Sequence, residues 1–179
     1  LGWFYRLAGP RPDWVPTVQV LLGVANTWMV YRLGRRWVGI GAAWVGALLL
    51  TFHAPMIFLE TKILTETVSV SLLMGALILA GRALDRPDRP CRFLAAGIVL
   101  GLASLARPNF LAVALLGGTW AVWRALRRRP LAPPRSLALA ALGLLLTLAP
   151  VTLRNFVVGG DLVWISANGG IVFAQGNHP

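Results

Sequence analysis

The sequence has 179 residues, of which 57% are hydrophobic and only 13% are charged, and its formal net charge is +11. An ordinary soluble domain carries about 25% charged residues, so this composition excludes a water-soluble globular protein. The positive charge does not indicate nucleic-acid binding, because the basic residues form short clusters between apolar runs rather than a polar, aromatic-rich face. Such clusters are typical of the cytoplasmic loops of membrane proteins.

Apolar segments long enough to cross a bilayer, about 20 residues each, follow one another along the chain. Residues 1–13 precede them and are predicted to be an interfacial segment that ends in a turn. The predicted spans are residues 14–31, 37–59 with a late interruption at His53 and Pro55, 63–80, 90–106, 110–123 and 136–153. We therefore predict an all-α polytopic membrane protein with about six transmembrane helices over residues 14–153.

One apolar region, residues 93–123, has two interpretations because the Arg-Pro-Asn sequence at residues 107–109 divides it. A single kinked helix would put the arginines of residues 124–135 on the side opposite those of residues 32–36, against the positive-inside bias. Two helices keep these clusters on one cytoplasmic side, together with the cluster at residues 82–92. We predict two helices.

Residues 154–179 lack the apolar pattern of a span. Two short apolar stretches, residues 162–166 and 171–174, flank the Asn-Gly-Gly sequence at residues 168–170, which indicates a hairpin or the edge of a larger domain. We predict that residues 154–179 begin a non-cytoplasmic extramembrane region that packs over the outer helix ends. Since the chain begins without Met or a signal-peptide pattern, we expect an internal piece of a longer protein.

The predicted topology puts the potentially reactive side chains on the non-cytoplasmic side. Glu66 lies in the first turn of the third span, where a carboxylate is a functional candidate; pairing with Lys62 is the structural alternative. Arg107 and Arg154 end spans on this side, against the usual charge bias. Their guanidinium groups are candidates for bidentate phosphate binding, with snorkelling to lipid headgroups as the alternative.

Weaker substrate-binding candidates lie nearby in the predicted topology. His53 is a candidate base or ligand, although a lone histidine before a proline is more often a hydrogen-bonded residue at a helix end. Glu60 lies closer to water, and Asn109 completes the Arg-Pro-Asn sequence. The sequence contains no metal-binding motif with specific spacing, no phosphate-binding glycine loop and no nucleophile with a neighbouring base.

Several short motifs occur in order along the chain: Leu-Thr-Glu-Thr at residues 64–67, the glycine-bearing run 97–101 followed by Ser-Leu-Ala-Arg-Pro-Asn at 104–109, Arg-Asn at 154–155, and Gly-Asn-His-Pro at 176–179. Together they resemble the motifs of bacterial membrane glycosyltransferases of family 39, in the GT-C superfamily. This family includes dolichyl-phosphate-mannose-protein mannosyltransferases and aminoarabinose transferases. Glu66, Arg107 and Arg154 fall on motif positions.

The resemblance implies an enzyme of the bacterial inner (plasma) membrane that transfers a sugar from a polyprenyl-phosphate carrier to a lipid or protein acceptor on the non-cytoplasmic face. It implies Glu66 as a site carboxylate, and Arg107 and Arg154 as ligands of the carrier phosphate. The family's main catalytic acidic residue would precede Leu1, so this chain alone is expected to be inactive. No cofactor is assigned, and a requirement for a divalent metal stays open, as do the sugar and the acceptor.

A multi-pass transporter or lipid-carrier flippase is the alternative, since it would also put ionisable groups among membrane helices. No predicted span carries a charge near its centre and no inverted repeat is visible, which favours the transferase. The expected partners are the sugar donor, membrane lipid and the acceptor, with no nucleic acid.

Overall fold

The computed structural model describes residues 14–60, 65–160, 162–166 and 176. These residues form α-helices and one short 3-10 helix, with no strand among them. The α-helices are α1 (Trp14–Trp37), α2 (Ile40–Thr51), α3 (Ala54–Glu60), α4 (Glu66–Asp85), α5 (Pro90–Ala106), α6 (Leu111–Leu126) and α7 (Pro134–Gly159), and the 3-10 helix is Pro108–Phe110. The chain divides into two compact units, Leu1–Ile78 and Leu79–Pro179, with the boundary inside α4.

Three helical segments in the described part of the chain are long and apolar enough to cross a membrane: Glu66–Asp85, Pro108–Leu126 and Pro134–Gly159. The helices α2 and α5 are also apolar but shorter. Large apolar side chains such as those of Leu116 and Val122 are mostly exposed, which suits contact with lipid rather than water. The predicted all-α membrane fold is confirmed, and the number of six spans stays a prediction.

In the first unit, α1 and α2 form an antiparallel helical hairpin. A Cβ atom added to Gly34 would lie 3.0 Å from Ala43 Cα, and one added to Gly46 would lie 3.7 Å from Val30 Cγ1. From the first of these contacts to the second, the residue number decreases along α1 and increases along α2, so the two helices run in opposite directions. Gly39 makes the turn between them with a φ of 114°, a conformation that glycine adopts without strain.

The first helix is longer than its predicted span. It continues past residue 31 through Arg35 and Arg36 to Trp37, because hydropathy marks the edge of the bilayer and not the end of the helix. Arginine is a good helix former, and its charge is favourable in the last turn. The guanidinium of Arg32 lies 4.9 Å from the ring centre of Trp28, which also suits a membrane interface.

The interruption predicted at His53 and Pro55 within residues 37–59 is confirmed, because the helix is broken at Phe52 and His53 between α2 and α3. Pro55 has no N–H to donate to the carbonyl of Thr51, so the hydrogen-bond ladder cannot continue. A new ladder starts where Met56 N–H donates to the carbonyl of His53 at 2.9 Å.

In the second unit, α5 packs along α7 through small residues. A Cβ atom added to Gly101 would lie 2.7 Å from Thr147 Cβ, and one added to Gly97 would overlap the carbonyl of Ala140. From the contact of Gly97 to that of Gly101, the residue number increases along both α5 and α7, so the two helices run parallel. Gly143 of α7 is equally close to the backbone of α5. Small residues that let backbones approach closely are typical of helix pairs in membranes.

Because α5 and α7 are parallel, the loops that precede them lie at the same end of the second unit. Ser136 Oγ donates to the carbonyl of Pro87 at 3.2 Å and joins these loops. Ala83, Phe93 and Ala132 form a buried apolar cluster beside this contact. The arginine clusters at residues 82–92 and 124–135 therefore share one end, as the sequence predicts.

The predicted break after α5 is confirmed. Arg107 is extended, with φ −142° and ψ 112°, because the proline that follows disfavours the helical conformation. The helices α5 and α6 meet mainly around this break, and α6 returns toward the end that carries the arginine clusters.

The last helix is also longer than its predicted span, which ends at residue 153, since α7 continues through Arg154 to Gly159. Gly160 then ends the helix with a φ of 74°, and its N–H donates to the carbonyl of Phe156 at 2.9 Å. Residues 162–166 contain no strand. The hairpin predicted around residues 168–170 lies outside the described residues, and the extramembrane region from residue 154 stays a prediction.

Candidate functional site

Arg107 and Arg154 lie at nearly the same level, at the end of the second unit opposite the arginine-rich loops. Gly101 of α5 faces Thr147 of α7. Arg107 follows Gly101 by six residues and Arg154 follows Thr147 by seven, or about 9 and 10.5 Å at the α-helical rise. Arg154 is exposed, and Pro150 lies within α7 between Thr147 and Arg154.

The backbone at Arg107 is held from both directions. Its N–H donates to the carbonyl of Ala103 at 2.9 Å, and its own carbonyl accepts from Phe110 N–H at 3.0 Å. The Arg107 side chain is half-buried, and Asn109 is exposed on the 3-10 helix. The Arg-Pro-Asn sequence thus makes a rigid corner that positions a cation at the end of α5.

Asn155, next to Arg154, anchors the chain that follows α7. Its Nδ2 lies 3.2 Å from the carbonyl oxygen of Val163 and 3.3 Å from that of Ile165. Thr152 Oγ1 donates to the carbonyl of Trp164 at 2.8 Å. The segment 162–166 therefore folds back along the last turns of α7. Sequence reasoning missed this role of Asn155, although polar residues in the last turns of an apolar helix are a usable signal.

Glu66 begins α4 in the first unit and is half-buried. It lies next to a set of buried polar residues: Asn26 and Thr67 are fully buried, and Asn26 Nδ2 lies 3.4 Å from the Thr67 carbonyl oxygen. Ser69 Oγ donates to the carbonyl of Glu66 at 2.7 Å. Within the described residues, Asn26 Oδ1 and Thr67 Oγ1 have no hydrogen-bond partner.

This buried polar set is distant from the arginines at the C-terminal end of α1. Asn26 precedes Arg36 by ten residues, or about 15 Å along the helix, and the start of α4 lies beside it. Gln19, one heptad before Asn26, is also buried. Sequence reasoning missed Asn26 as a site residue, although amides at heptad spacing inside an apolar segment indicate a buried polar face.

The other candidates are less well placed. His53 is exposed at the junction of α2 and α3. This junction lies at the end of the hairpin of α1 and α2 that is opposite the arginines of α1. Glu60 ends α3, and its side chain lies outside the described residues, as does Lys62, the predicted partner of Glu66. The structure brings Arg107 and Arg154 to one level; the convergence of Glu66 with them stays a prediction.

The fold and the site define an integral membrane protein with buried polar groups in one unit and two cations at one end of the other. Residues 1–153 match the model of the dolichyl-phosphate-mannose-protein mannosyltransferase family, and the chain belongs to this family. No significant match is found among curated proteins or solved structures. The protein is accordingly a membrane glycosyltransferase of the mannosyltransferase type.

Proposed function

We propose that the protein takes a sugar from a polyprenyl-phosphate carrier and transfers it to a lipid or protein acceptor on the non-cytoplasmic face of a bacterial inner membrane. Family membership supports the class of reaction. The observation that carries the donor assignment is the common level of Arg107 and Arg154, away from the arginine-rich loops. The positive-inside bias assigns those loops to the cytoplasm, so the two arginines belong to the outer side.

Two guanidinium groups at one level suit a phosphate ligand. The planar fork of arginine matches phosphate oxygens bidentately. In the proposed reaction, the acceptor oxygen bonds to the anomeric carbon while the bond from that carbon to the carrier phosphate breaks. The electron pair leaves with the polyprenyl phosphate, and Arg107 and Arg154 stabilise the charge that develops there.

The acceptor hydroxyl must give its proton to a base, and carboxylates are suitable bases for this step. Glu66 is the candidate carboxylate in this chain, and the family resemblance implies a further acidic residue before Leu1. Next to Glu66, the buried side chains of Asn26 and Thr67 make the surroundings of this carboxylate polar. We assign His53, Glu60 and Asn109 to substrate binding as secondary candidates.

The test replaces Arg107 or Arg154 by lysine in the full-length enzyme and measures binding and turnover of a polyprenyl-phosphate sugar. Lysine keeps the charge but not the planar fork. Loss of one charged hydrogen bond costs about 1.5 to 3 kcal/mol, so we expect donor affinity to fall roughly 10- to 150-fold. Arg135→Lys is the matched control, because Arg135 lies on α7 at the opposite end from Arg154.

Wild-type affinity and rate in both variants would overturn the donor assignment and leave these arginines as anchors for lipid headgroups. The same assay separates the transferase from a flippase, since a flippase would bind the donor without releasing free carrier phosphate. Carrier release that depends on the acceptor supports transfer, and donor binding with no product supports the flippase.

A further inference from the structure

A cavity of about 410 Å³ lies in the second unit, between the end of α4 and the start of α5. It is lined by Leu79, Arg82, Arg86 and Arg92. Three of these four residues carry a guanidinium group, and the cavity is open to the surface of the protein. The cavity is at the end of the unit opposite Arg107 and Arg154, so it is separate from the site proposed above.

The local fold keeps the three guanidinium groups together. Arg82 lies in the last turn of α4, and Arg86 directly follows this helix, where its N–H donates to the carbonyl of Ala83 at 3.2 Å. Arg92 comes from the first turn of α5 and is half-buried, and its Nη1 donates to the carbonyl of Arg82 at 3.3 Å. The intervening turn is fastened by the hydrogen bond from Ser136 to Pro87. These hydrogen bonds connect α4, the following turn and α5, and so keep the three arginines near one another.

The electrostatics of this cavity favour an anionic ligand. Residues 82–92 contain four arginines and two aspartates, Asp85 and Asp88, for a net charge of +2, and neither aspartate lines the cavity. Three guanidinium groups around one cavity, with a net positive charge in this segment, attract an anion. Phosphate fits best, because several guanidinium forks can share its oxygens.

The surroundings indicate that this phosphate belongs to a lipid. Leu79 lies one turn before Arg82 on α4, so the cavity is apolar toward the body of the helix and cationic toward its end. At the same end of the unit, two arginine–tryptophan contacts lie at the end of α6, where Arg124 is 5.7 Å from the ring centre of Trp120 and Arg127, which follows the helix, is 5.5 Å from that of Trp123. Such aromatic residues are typical of the headgroup level of a bilayer.

We propose that the cavity of Arg82, Arg86 and Arg92 binds the phosphate of an anionic phospholipid of the cytoplasmic leaflet, with the glycerol and the first acyl carbons against Leu79. Basic pockets beside membrane helices on this side are suited to anionic headgroups. The bound lipid bridges α4 and α5 and stabilises the turn between them.

The test titrates the full-length protein in detergent with dioctanoyl phosphatidylglycerol, with dioctanoyl phosphatidylcholine and with inorganic phosphate, and measures affinity by calorimetry. We expect phosphatidylglycerol to bind at least 10-fold more tightly than the other two. The double variant Arg82→Gln/Arg86→Gln should lose at least 10-fold in this affinity. Arg124→Gln/Arg127→Gln removes equal charge at the same end, outside the cavity, and should change the affinity less than threefold.

Equal losses in both double variants would overturn the pocket, because they would indicate diffuse attraction to the whole basic end. Equal affinity for inorganic phosphate would overturn the lipid assignment. If the cavity variant does not fold, the wild-type protein is modified with phenylglyoxal and analysed by mass spectrometry. Phosphatidylglycerol should then protect Arg82, Arg86 and Arg92 but not Arg124 or Arg127, and uniform protection would overturn the proposal.

Discussion

Substituting alanine for Gly97 or Gly143 is the most direct test of the contact between α5 and α7. The added Cβ of Gly97 would overlap the carbonyl oxygen of Ala140 and lie 2.9 Å from its carbon. That of Gly143 would overlap the carbonyl oxygen of Leu94 and lie 2.9 Å from Ile98 N. These obstacles are backbone atoms, which cannot rotate away, so the two helices must separate by roughly 1 Å. A gap of that size forfeits about a quarter to a half of the attraction at each contact.

Overpacking of this kind typically lowers the free energy of unfolding by about 1 to 3 kcal/mol. Alanine also stabilises a helix by about 1 kcal/mol relative to glycine. The unfolding free energies of the two variants must therefore be compared with that of a control that has the same gain in helix propensity. Gly117→Ala on α6 supplies it, because a Cβ there meets nothing within 4 Å. We expect each of the two variants to be about 1 to 3 kcal/mol less stable than this control, measured by SDS titration in mixed micelles. Equal unfolding free energies for all three would refute the close parallel packing.

Two further predictions concern topology and the segment after α7. Cys91 is the only cysteine in the chain and is exposed at the start of α5. A membrane-impermeant maleimide should therefore label Cys91 in inverted vesicles and not in intact cells. The opposite labelling would reverse the predicted orientation. Asn155→Leu removes two hydrogen bonds to the segment 162–166, each with a net contribution of about 0.5 to 1.5 kcal/mol. The variant should therefore increase proteolysis and hydrogen exchange in this segment. The control is Val157→Leu, because Val157 is an exposed residue of the same helix. Unchanged protection in Asn155→Leu would contradict the anchoring role.

The class of this protein could be predicted from sequence because long apolar segments between arginine clusters have few stable solutions other than membrane helices. The break at Arg107 was predictable for a local reason, since proline restricts the residue before it. The family could be predicted because the order of its short motifs is a property of the sequence itself. For the same reason Glu66, Arg107 and Arg154 could be selected as candidates before any contact was known.

The helix ends were predicted less well, because hydropathy reports the bilayer boundary while the backbone continues to donate hydrogen bonds beyond it. Arg154 therefore lies inside α7, which ends only where Gly160 adopts a left-handed conformation. The interruption at His53 was predictable, because Pro55 cannot continue the hydrogen-bond ladder of a helix even inside an apolar run.

Tertiary structure alone decided which polar residues lie together. Asn26 and Thr67 are 41 positions apart in sequence, and no local pattern pairs them, yet the fold buries both and joins them by a hydrogen bond. The level of Arg107 beside Arg154 likewise depends on the parallel packing of α5 and α7. Sequence periodicity identifies the small-residue face of each helix, but the choice of partner and direction depends on which backbones can approach without steric overlap, and that is a property of the assembled helices.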